Sequence, residues 1–278
     1  MFSKLFRIRN RKVETSFIEQ FDYPKYGPGQ LWAAAADEVR RMGGTILSGK
    51  RVIRILCEEN GQANKVICAD GSEFLCDLLI SSMPVKDLVI ALDSAPPDVR
   101  RIADGLIYRD FQTVGVLLPI DKFLLRNKGK IPTVGNITPD CWIYVQDTTV
   151  SLGRIQIFNN WSPYMVKDFE QNVWIGLEYF SDEGDEHWKM PDQKFIEFAT
   201  GEIVKMGVIA SASDILNACR EQVKKAYPAY FDTYTEFSTL RVFLDSIPIV
   251  IVISWCRPYL QRIEKSAFVT TGVYPVTV

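Results

Sequence analysis

The pattern of apolar positions in the first part of the chain predicts one amphipathic helix. Within the segment LWAAAADEVRRM, the residues Leu31, Ala35, Val39 and Met42 recur at helical spacing. Gly43 follows at once, and glycine commonly ends helices because it accepts the left-handed backbone conformation. The turn-like sequence YGPG precedes the segment. We therefore expect a helix that begins near residue 30 and ends before Gly43.

The next stretch alternates between apolar and polar residues, which is typical of short antiparallel strands. Residues 51–57 and 65–69 alternate on either side of an Asn-Gly turn, and residues 45–47 predict a further short strand. The run CDLLISSMP at 76–84 is continuously apolar, which predicts a strand buried on both faces. This order of elements is typical of the second half of a dinucleotide-binding α/β fold, although no strand followed by GxGxxG occurs in the sequence.

From about residue 108 to 180 the chain becomes rich in aromatic and β-branched residues, which predicts an antiparallel sheet. The four predicted strands are FQTVGVLLP, CWIYVQD, RIQIFNN and VWIGLEYF. Residues 191–230 are mainly helical by pattern, with Phe195, Phe198, Ile203 and Ile215 as expected core residues. The fold class is therefore α/β, or α+β, with an incomplete Rossmann-like domain beside an antiparallel-sheet domain.

Composition and charge exclude several classes of protein. The formal net charge is -2, whereas nucleic-acid-binding proteins normally show a basic excess. No segment has the roughly 20 apolar residues of a membrane-spanning helix. His187 is the single histidine, so multi-histidine metal sites are excluded, and in its acidic loop we expect a solvated imidazole. The six cysteines form no CxxC pair, and with no signal peptide at the start we expect buried, reduced thiols and a cytoplasmic protein.

The segment from Cys141 to Tyr164 carries the candidate chemistry. Trp142 and Tyr144 point to one face of a strand, and Arg154 shares a face with Gln156 on the next. A hairpin turn at 146–153 would bring both sets side by side. A phenol and a guanidinium suit a phosphate or diphosphate, and an indole offers a stacking face for a base or sugar. The alternative is an ordinary sheet with a solvated arginine at its rim.

These residues also carry a resemblance to a known family. FDYPKYGPGQLW, GKRVIRI and CDLLISSMPVKDL resemble the FAD-binding half of the flavin amine oxidase superfamily. The pattern Cys-Trp-x-Tyr, an arginine thirteen positions after the cysteine and then Ser-Pro-Tyr is similar to UDP-galactopyranose mutase and its relatives. The resemblance covers about residues 17–245. It implies FAD as cofactor, flavin-borne chemistry with no obligatory protein base, and a small-molecule substrate such as a UDP-sugar.

The resemblance also implies roles for individual residues. Tyr144 and Arg154 would contact the substrate diphosphate in a pocket lined by Trp142. The matching positions Asn160 and Tyr164 would belong to the same substrate site. On the cofactor side, Val52 would meet the adenine end of FAD through its main chain, and Ser82, Met83 and Pro84 would lie near the cofactor. Gly27 and Gly29 would approach the flavin ring. Each position has a purely structural alternative, namely a core valine, a strand end and a turn.

Two departures from the family lead to further expectations. The family begins with a glycine-rich βαβ unit, so we expect residues 17–95 to form a partial FAD-binding domain and 96–240 a substrate domain with mixed or antiparallel sheet and helices. Residues 241–278 read as an atypical segment, for which a frameshift is one hypothesis. The alternatives to a flavoenzyme are a non-catalytic fragment and a nucleotide-sugar binding module. The sequence does not predict the oligomeric state.

Overall fold

The computed structural model describes residues 22–129, 131–230, 232–247 and 250–252. Seven α-helices lie among the described residues. Their bounds are α1 Gly29–Arg41, α2 Val85–Ala91, α3 Pro97–Asp104, α4 Phe158–Trp161, α5 Glu186–Lys189, α6 Asp192–Lys205 and α7 Phe237–Ser246.

The described strands form three sheets. Their bounds are β1 Val52–Cys57, β2 Ala63–Cys68, β3 Glu73–Leu75, β4 Leu79–Ser81, β5 Tyr108–Pro119, β6 Trp142–Tyr144, β7 Arg154–Ile157, β8 Asn172–Ser181, β9 Asn217–Pro228 and β10 Val250–Val252. An antiparallel meander has the order β1-β2-β3, and β10 pairs in parallel with β4. The largest sheet has five strands in the order β6-β7-β8-β5-β9. The described part of the chain is thus of mixed helix and sheet, as expected.

One hydrophobic core joins the meander, β4 and the helices α2, α3 and α7. Its buried residues include Ile55 from β1, Leu88 from α2, Ile102 from α3 and Leu240 from α7. All three residues of β4 are buried, which confirms the strand predicted at 76–84. Because α3 and α7 share this core with the meander, packing joins segments on both sides of the boundary near residue 95. The domain boundaries themselves stay a prediction.

Helix α1 has the predicted position but none of its residues is buried. It ends at Arg41, and Gly43 adopts a φ of 85°, as expected of a helix-ending glycine. Leu31, Val39 and Met42, whose spacing predicts the helix, are all exposed, and Trp32 is 67% exposed. The helix is therefore correctly predicted, while its apolar side chains cover no core in the described part of the chain.

The second core lies between the five-stranded sheet and α6. Val114 and Val116 from β5 and Ile175 and Leu177 from β8 meet Phe195 from α6. All of these side chains are almost completely buried, which is worth roughly 1.5–3 kcal/mol for each large apolar side chain. The expected core positions Phe195 and Ile203 are confirmed. Phe198 and Ile215 pack against this core while partly buried. One face of the sheet is thus covered by α6.

Three sequence-based predictions for the described residues are wrong. Residues 45–47 form no strand, because they have no partner strand among the described residues. Residues 217–228 form the long strand β9 instead of a helix, because they pair along β5. Of the cysteines in the described residues, Cys68 is buried and Cys219 is exposed, so burial does not hold for all of them.

None of the described helices has both the length and the apolar content of a membrane-spanning helix. The C-terminal segment is described only in part, through α7 and the short strand β10. The remainder of 241–278, and with it the frameshift hypothesis and Cys256, lies outside the described residues.

Candidate functional site

The predicted hairpin between 142 and 157 is confirmed. Strand β6 pairs with β7 in antiparallel register, with Trp142 opposite Gln156 and Tyr144 opposite Arg154. The connection closes through a hydrogen bond that the Val145 N–H donates to the Gly153 carbonyl, at 3.0 Å. Residues directly opposite each other on neighbouring strands share a face of the sheet. The tyrosine and the arginine therefore face the same side.

Arg154 lies at the centre of this cluster. Its guanidinium carbon is 5.1 Å from the centre of the Trp142 ring and 5.8 Å from that of Tyr144, within the range of cation–π attraction. Its Nε donates to the carboxylate of Glu178 on β8, and the amide of Gln156 donates to the other oxygen of that carboxylate. The Glu178 side chain is 1% exposed and that of Arg154 13%. The buried carboxylate therefore fixes the plane of the guanidinium between two aromatic rings.

The middle of this sheet face is built over two glycines. Gly115 on β5 and Gly176 on β8 are directly opposite each other. A Cβ at Gly115 would lie 2.7 Å from the Trp174 ring, and one at Gly176 would lie 3.2 Å from the Phe158 ring. The two rings thus occupy the space that side chains would otherwise fill. Because Gly176 also pairs with Gln156, this aromatic floor lies on the same face as Arg154.

A row of neighbouring aromatic rings connects the cluster to the loop before α1. The Trp142 ring lies 5.2 Å from that of Trp161, which in turn stacks at 5.0 Å on Tyr23. Burial, and to a smaller extent the nearby Cys141, raises the pKa of the Tyr23 phenol. Burial likewise raises the pKa of the Cys141 thiol, with Asp140 adding to the effect. Both groups are therefore neutral at pH 7, and the row adds apolar surface without charge.

The structure places the two other predicted substrate residues next to this row. The side-chain amide of Asn160 donates to the main-chain carbonyls of Thr138 and Asp140, both at 2.8 Å, so it holds the chain that leads into β6. The Tyr164 ring is exposed, meets the Tyr26 ring edge-on at 6.2 Å, and lies 4.0 Å from the Lys25 ammonium group. Asn160 thus supports the site, and Tyr164 lies at its rim.

Gly27 and Gly29 lie in the same neighbourhood, for a local reason. Gly27 is buried with a φ of 83°, a conformation that favours glycine, and a Cβ there would lie 3.2 Å from the Met165 side chain. The hydroxyl of Ser162 donates to the Lys25 carbonyl at 2.6 Å. Gly29 begins α1. Packing against Met165 thus accounts for Gly27, and the approach of this loop to a flavin ring stays a prediction.

The predicted cofactor residues on β1 and β4 lie in the other core. Val52 begins β1, the edge strand of the meander, and its side chain is buried, so that a ligand would contact its main chain. Ser82, Met83 and Pro84 follow the carboxyl end of β4 and are half-buried. Ligands of open α/β sheets generally bind at this end of a strand. The positions are compatible with their predicted roles, which stay predictions.

Three residues of the site are missing from the sequence-based prediction. Glu178, Trp161 and Tyr23 hold or extend the cluster around Arg154. The alternation in VWIGLEYF places Glu178 on the face of Trp174 and Gly176, and a lone carboxylate in an apolar strand is a signal of a buried ion pair. The expectation for His187 is wrong, because its ring is half-buried and packs 4.5 Å from the Phe198 ring.

Comparison with known proteins identifies the family of this chain. Residues 5–244 match the family described as flavin containing amine oxidoreductase. This chain belongs to that family. The match covers most of the 278 residues and confirms the resemblance to flavin amine oxidases. No curated protein sequence matches the chain.

Several solved structures are similar to this chain in fold. Reduced UDP-galactopyranose mutase superposes with a TM-score of 0.63 at 19% identity, over 82% of this chain and 46% of the mutase. Cyclohexylamine oxidase from Brevibacterium oxydans gives 0.57 at 13% identity, over 82% of this chain and 47% of the oxidase. A triple mutant of putrescine oxidase gives 0.55 at 11% identity, over 81% and 46%. The chain therefore spans less than half of each of these proteins.

Family membership assigns FAD as the cofactor of this chain. The residues present fit part of that molecule. The main chain at the end of β4 and the edge strand β1 provide backbone positions for a nucleotide, whereas the sequence contains no glycine-rich loop that would hold the diphosphate. A flavin bound here would supply electron or hydride transfer, and the residues of this chain would bind and orient the reacting molecules.

Proposed function

We propose that this chain forms the substrate sheet and part of the cofactor pocket of an FAD-dependent oxidoreductase or mutase that acts on a nucleotide sugar. The observation that supports this proposal is Arg154, which Glu178 holds between the rings of Trp142 and Tyr144. A guanidinium offers a planar fork of N–H donors that matches two phosphate oxygens, and rings beside it favour a base or a sugar. The small-molecule substrate would be a UDP-sugar.

Each residue has a defined task in this proposal. Arg154 binds an oxyanion through its fork, and the Tyr144 hydroxyl donates to the same phosphate group. Trp142, which is 45% exposed, offers a ring face for the uracil or the sugar. Glu178 offsets the charge of Arg154, so the geometry of the fork contributes more to recognition than net charge does. No side chain acts as an obligatory base, since the flavin carries the chemistry.

Substitution of Arg154 tests the anion site, provided that the buried carboxylate is taken into account. Removing the arginine alone leaves Glu178 buried without its charge partner, which destabilises proteins by about 3–5 kcal/mol. The informative variants are therefore Arg154→Lys, which keeps the charge, and the double variant Arg154→Met/Glu178→Gln, which removes both charges. Calorimetry with UDP should show about ten- to a hundredfold weaker binding for both, the loss expected for a charge-assisted hydrogen bond.

Arg101→Lys is the matched control. Arg101 also pairs with a glutamate, Glu236, but its side chain is 58% exposed, and its helix α3 packs in the other core. Its substitution should leave UDP affinity within about twofold, because exposed ion pairs contribute little. Equal UDP affinity in the parent and in Arg154→Lys would contradict the proposed anion site.

The visible absorption spectrum tests the cofactor. A yellow preparation with stoichiometric flavin supports the flavoenzyme, and a sugar-nucleotide assay with reduced flavin, compared with amine and alkene oxidation screens, distinguishes a mutase from an oxidoreductase. We also propose a reducing, cytoplasmic location, which is supported by the free thiols of the five cysteines in the described residues.

A second candidate is a non-catalytic fragment or a nucleotide-sugar binding module. It is favoured by the lack of a GxGxxG loop in the sequence and by the exposed apolar side chains of α1. Loss of several charge-assisted hydrogen bonds, each worth about 1.5–3 kcal/mol, would abolish measurable FAD binding. A colourless protein that still binds UDP would support the binding module. A colourless protein without UDP affinity would support the fragment.

A further inference from the structure

The carboxylate of Glu202 on α6 accepts three hydrogen bonds at a buried position. Its Oε1 accepts from the Ser151 main-chain N–H at 2.6 Å, and its Oε2 accepts from the Leu152 N–H and the Tyr179 hydroxyl, both at 3.0 Å. Glu202 is 8% exposed. A buried carboxylate is tolerated only when donors of this kind replace its water shell. The positions of the three donors identify the segments that this carboxylate holds in place.

Two of the three donors belong to the connection between β6 and β7. Ser151 and Leu152 are the residues just before Gly153 and Arg154, and Leu152 is almost fully buried. The Lys205 ammonium group, also on α6, donates to the Thr149 carbonyl in the same connection at 2.8 Å. The helix thus holds the hairpin connection at three main-chain positions, while Trp142, Tyr144 and Arg154 lie on the opposite face of the sheet.

Strand β6 needs such support because of its place in the sheet. It has three residues and is the edge strand in the order β6-β7-β8-β5-β9 of the described sheet. Its ladder therefore depends on β7 alone, and an edge strand of this length contributes few hydrogen bonds of its own. Trp142 and Tyr144 keep their distance from Arg154 only if the connection holds β6 and β7 in register.

We infer that Glu202 is a positioning residue for the anion site: from the far side of the sheet it fixes the hairpin connection, and thereby the spacing between the rings of β6 and the guanidinium of Arg154. The inference rests on the proposed function, since it assigns Glu202 to the same site. The hydroxyl of Tyr179 on β8 donates to the same carboxylate but not to the hairpin connection, and burial, with the neighbouring Glu202, raises the pKa of its phenol. In this role Glu202 acts through the hairpin connection and not through contact with the substrate.

The test combines amide hydrogen exchange with UDP calorimetry on the full chain. Glu202→Gln keeps the shape of the side chain but replaces one acceptor oxygen with an NH₂ group, so it cannot accept from all three donors. Exchange of the Ser151, Leu152 and Val145 amides should become at least about tenfold faster. UDP should bind about five- to tenfold more weakly, the effect of a positioning error of moderate size.

Tyr179→Phe is the matched control, because it removes the third donor and leaves both main-chain bonds to the carboxylate. Its amide exchange at Ser151 and Leu152, and its UDP affinity, should stay within about twofold of the parent. Equal losses in the two variants would mean that the core is simply destabilised. Fast exchange in Glu202→Gln with unchanged UDP affinity would also overturn the inference.

Lys205→Met provides the variant that folds if Glu202→Gln does not. It removes only the bond to the Thr149 carbonyl and should weaken UDP binding by about two- to threefold, with faster exchange confined to the connection. Unchanged exchange and affinity in Lys205→Met would contradict the inference. If the parent itself does not bind UDP, the proposed function fails, while faster exchange at Val145 in Glu202→Gln still reports that Glu202 holds the edge strand.

Discussion

Helices α1 and α6 have almost the same length, 13 and 14 residues, and opposite surroundings. Both carry apolar residues at helical spacing. Yet α6 buries Phe195, Ala199 and Ile203 against the five-stranded sheet, whereas α1 buries no residue. The comparison teaches that periodicity specifies a helix, while burial of its apolar face depends on the surface that it meets.

The polar contacts of the two regions differ in the same way. Around the sheet, Glu178 and Glu202 are buried carboxylates with several donors each. In the meander, Lys65 and Glu73 form an ion pair whose side chains are 30% and 52% exposed. Exposed pairs of this kind contribute little, whereas breaking a buried pair is strongly destabilising. We therefore expect the sheet region to dominate the stability of the chain.

The largest expected effect comes from comparing the two helices directly. Phe195→Ala should lower the free energy of unfolding by about 3–5 kcal/mol, because it leaves a cavity in a fully buried position. Trp32→Ala on α1 removes a larger ring but should change the free energy of unfolding by only about 0.5 kcal/mol, since that side chain is 67% exposed. Urea unfolding of both variants measures the difference. A loss for Trp32→Ala that approaches that of Phe195→Ala would show that α1 is packed in solution.

A second prediction compares the ion pairs. Glu178→Gln removes the negative charge beside the guanidinium of Arg154, whose side chain is 13% exposed, and should cost about 3 kcal/mol. Glu73→Gln, the same change in the meander, should cost less than about 1 kcal/mol. Thermal unfolding in 0.1 M and 1 M salt checks the result, because screening acts mainly on exposed pairs. The comparison fails if the two substitutions cost the same or respond equally to salt.

The third prediction concerns alkaline pH. Burial, and then the charge of Glu202, raises the pKa of Tyr179 above its ordinary value. The stabilising contribution is therefore complete below the unfolded pKa of about 10 and is lost as the pH rises above it, by about 1.4 kcal/mol per pH unit. Tyr179→Phe should remove this loss. The free energy of unfolding of the variant should therefore rise relative to that of the parent between pH 10 and 11. Urea unfolding at pH 8, 10 and 11 measures it, and parallel curves for the two proteins would refute it.

The smallest expected effect lies on the exposed side of α1. Met42→Ser and Leu31→Ser replace apolar side chains that are 67% and 60% exposed. They should reduce the binding of a hydrophobic dye while changing the free energy of unfolding by no more than about 0.5 kcal/mol. Val242→Ser, which replaces an apolar side chain of α7 that is 70% exposed, is the control. Unchanged dye fluorescence would mean that the α1 face is covered in solution.

The sequence predicts those parts of the fold in which the local pattern and the tertiary environment agree. The alternation in CWIYVQD and RIQIFNN predicts the β6–β7 hairpin and the shared face of Tyr144 and Arg154, because side-chain direction follows from the strand period alone. The strand β9 is the counterexample. Its Arg, Glu, Gln and Lys residues favour a helix, but pairing along β5 overrides that preference.

Arg220 shows why the hydrophobic pattern does not predict the strand β9. Its side chain is 1% exposed and donates to Gln112 and to the carbonyls of His187, Trp188 and Met190. The sequence therefore predicts an exposed polar residue at this position, whereas the side chain is buried in the fold. The same holds for Glu178, since its partner Arg154 lies on another strand and their contact depends on register that no local pattern contains.

The opposed glycines in the middle of the sheet have a consequence for the shape of anything that lies against it. With no Cβ at Gly115 or Gly176, the Trp174 and Phe158 rings lie close to the backbone, and the surface beside Arg154 is shallow and aromatic. Alanine at position 115 would force the Trp174 ring away from the backbone, and alanine at position 176 would displace the Phe158 ring by a few tenths of an ångström. A flat molecule bound beside the guanidinium would then contact a displaced ring. The absence of a methyl group at both glycines therefore determines how closely such a molecule can approach the sheet.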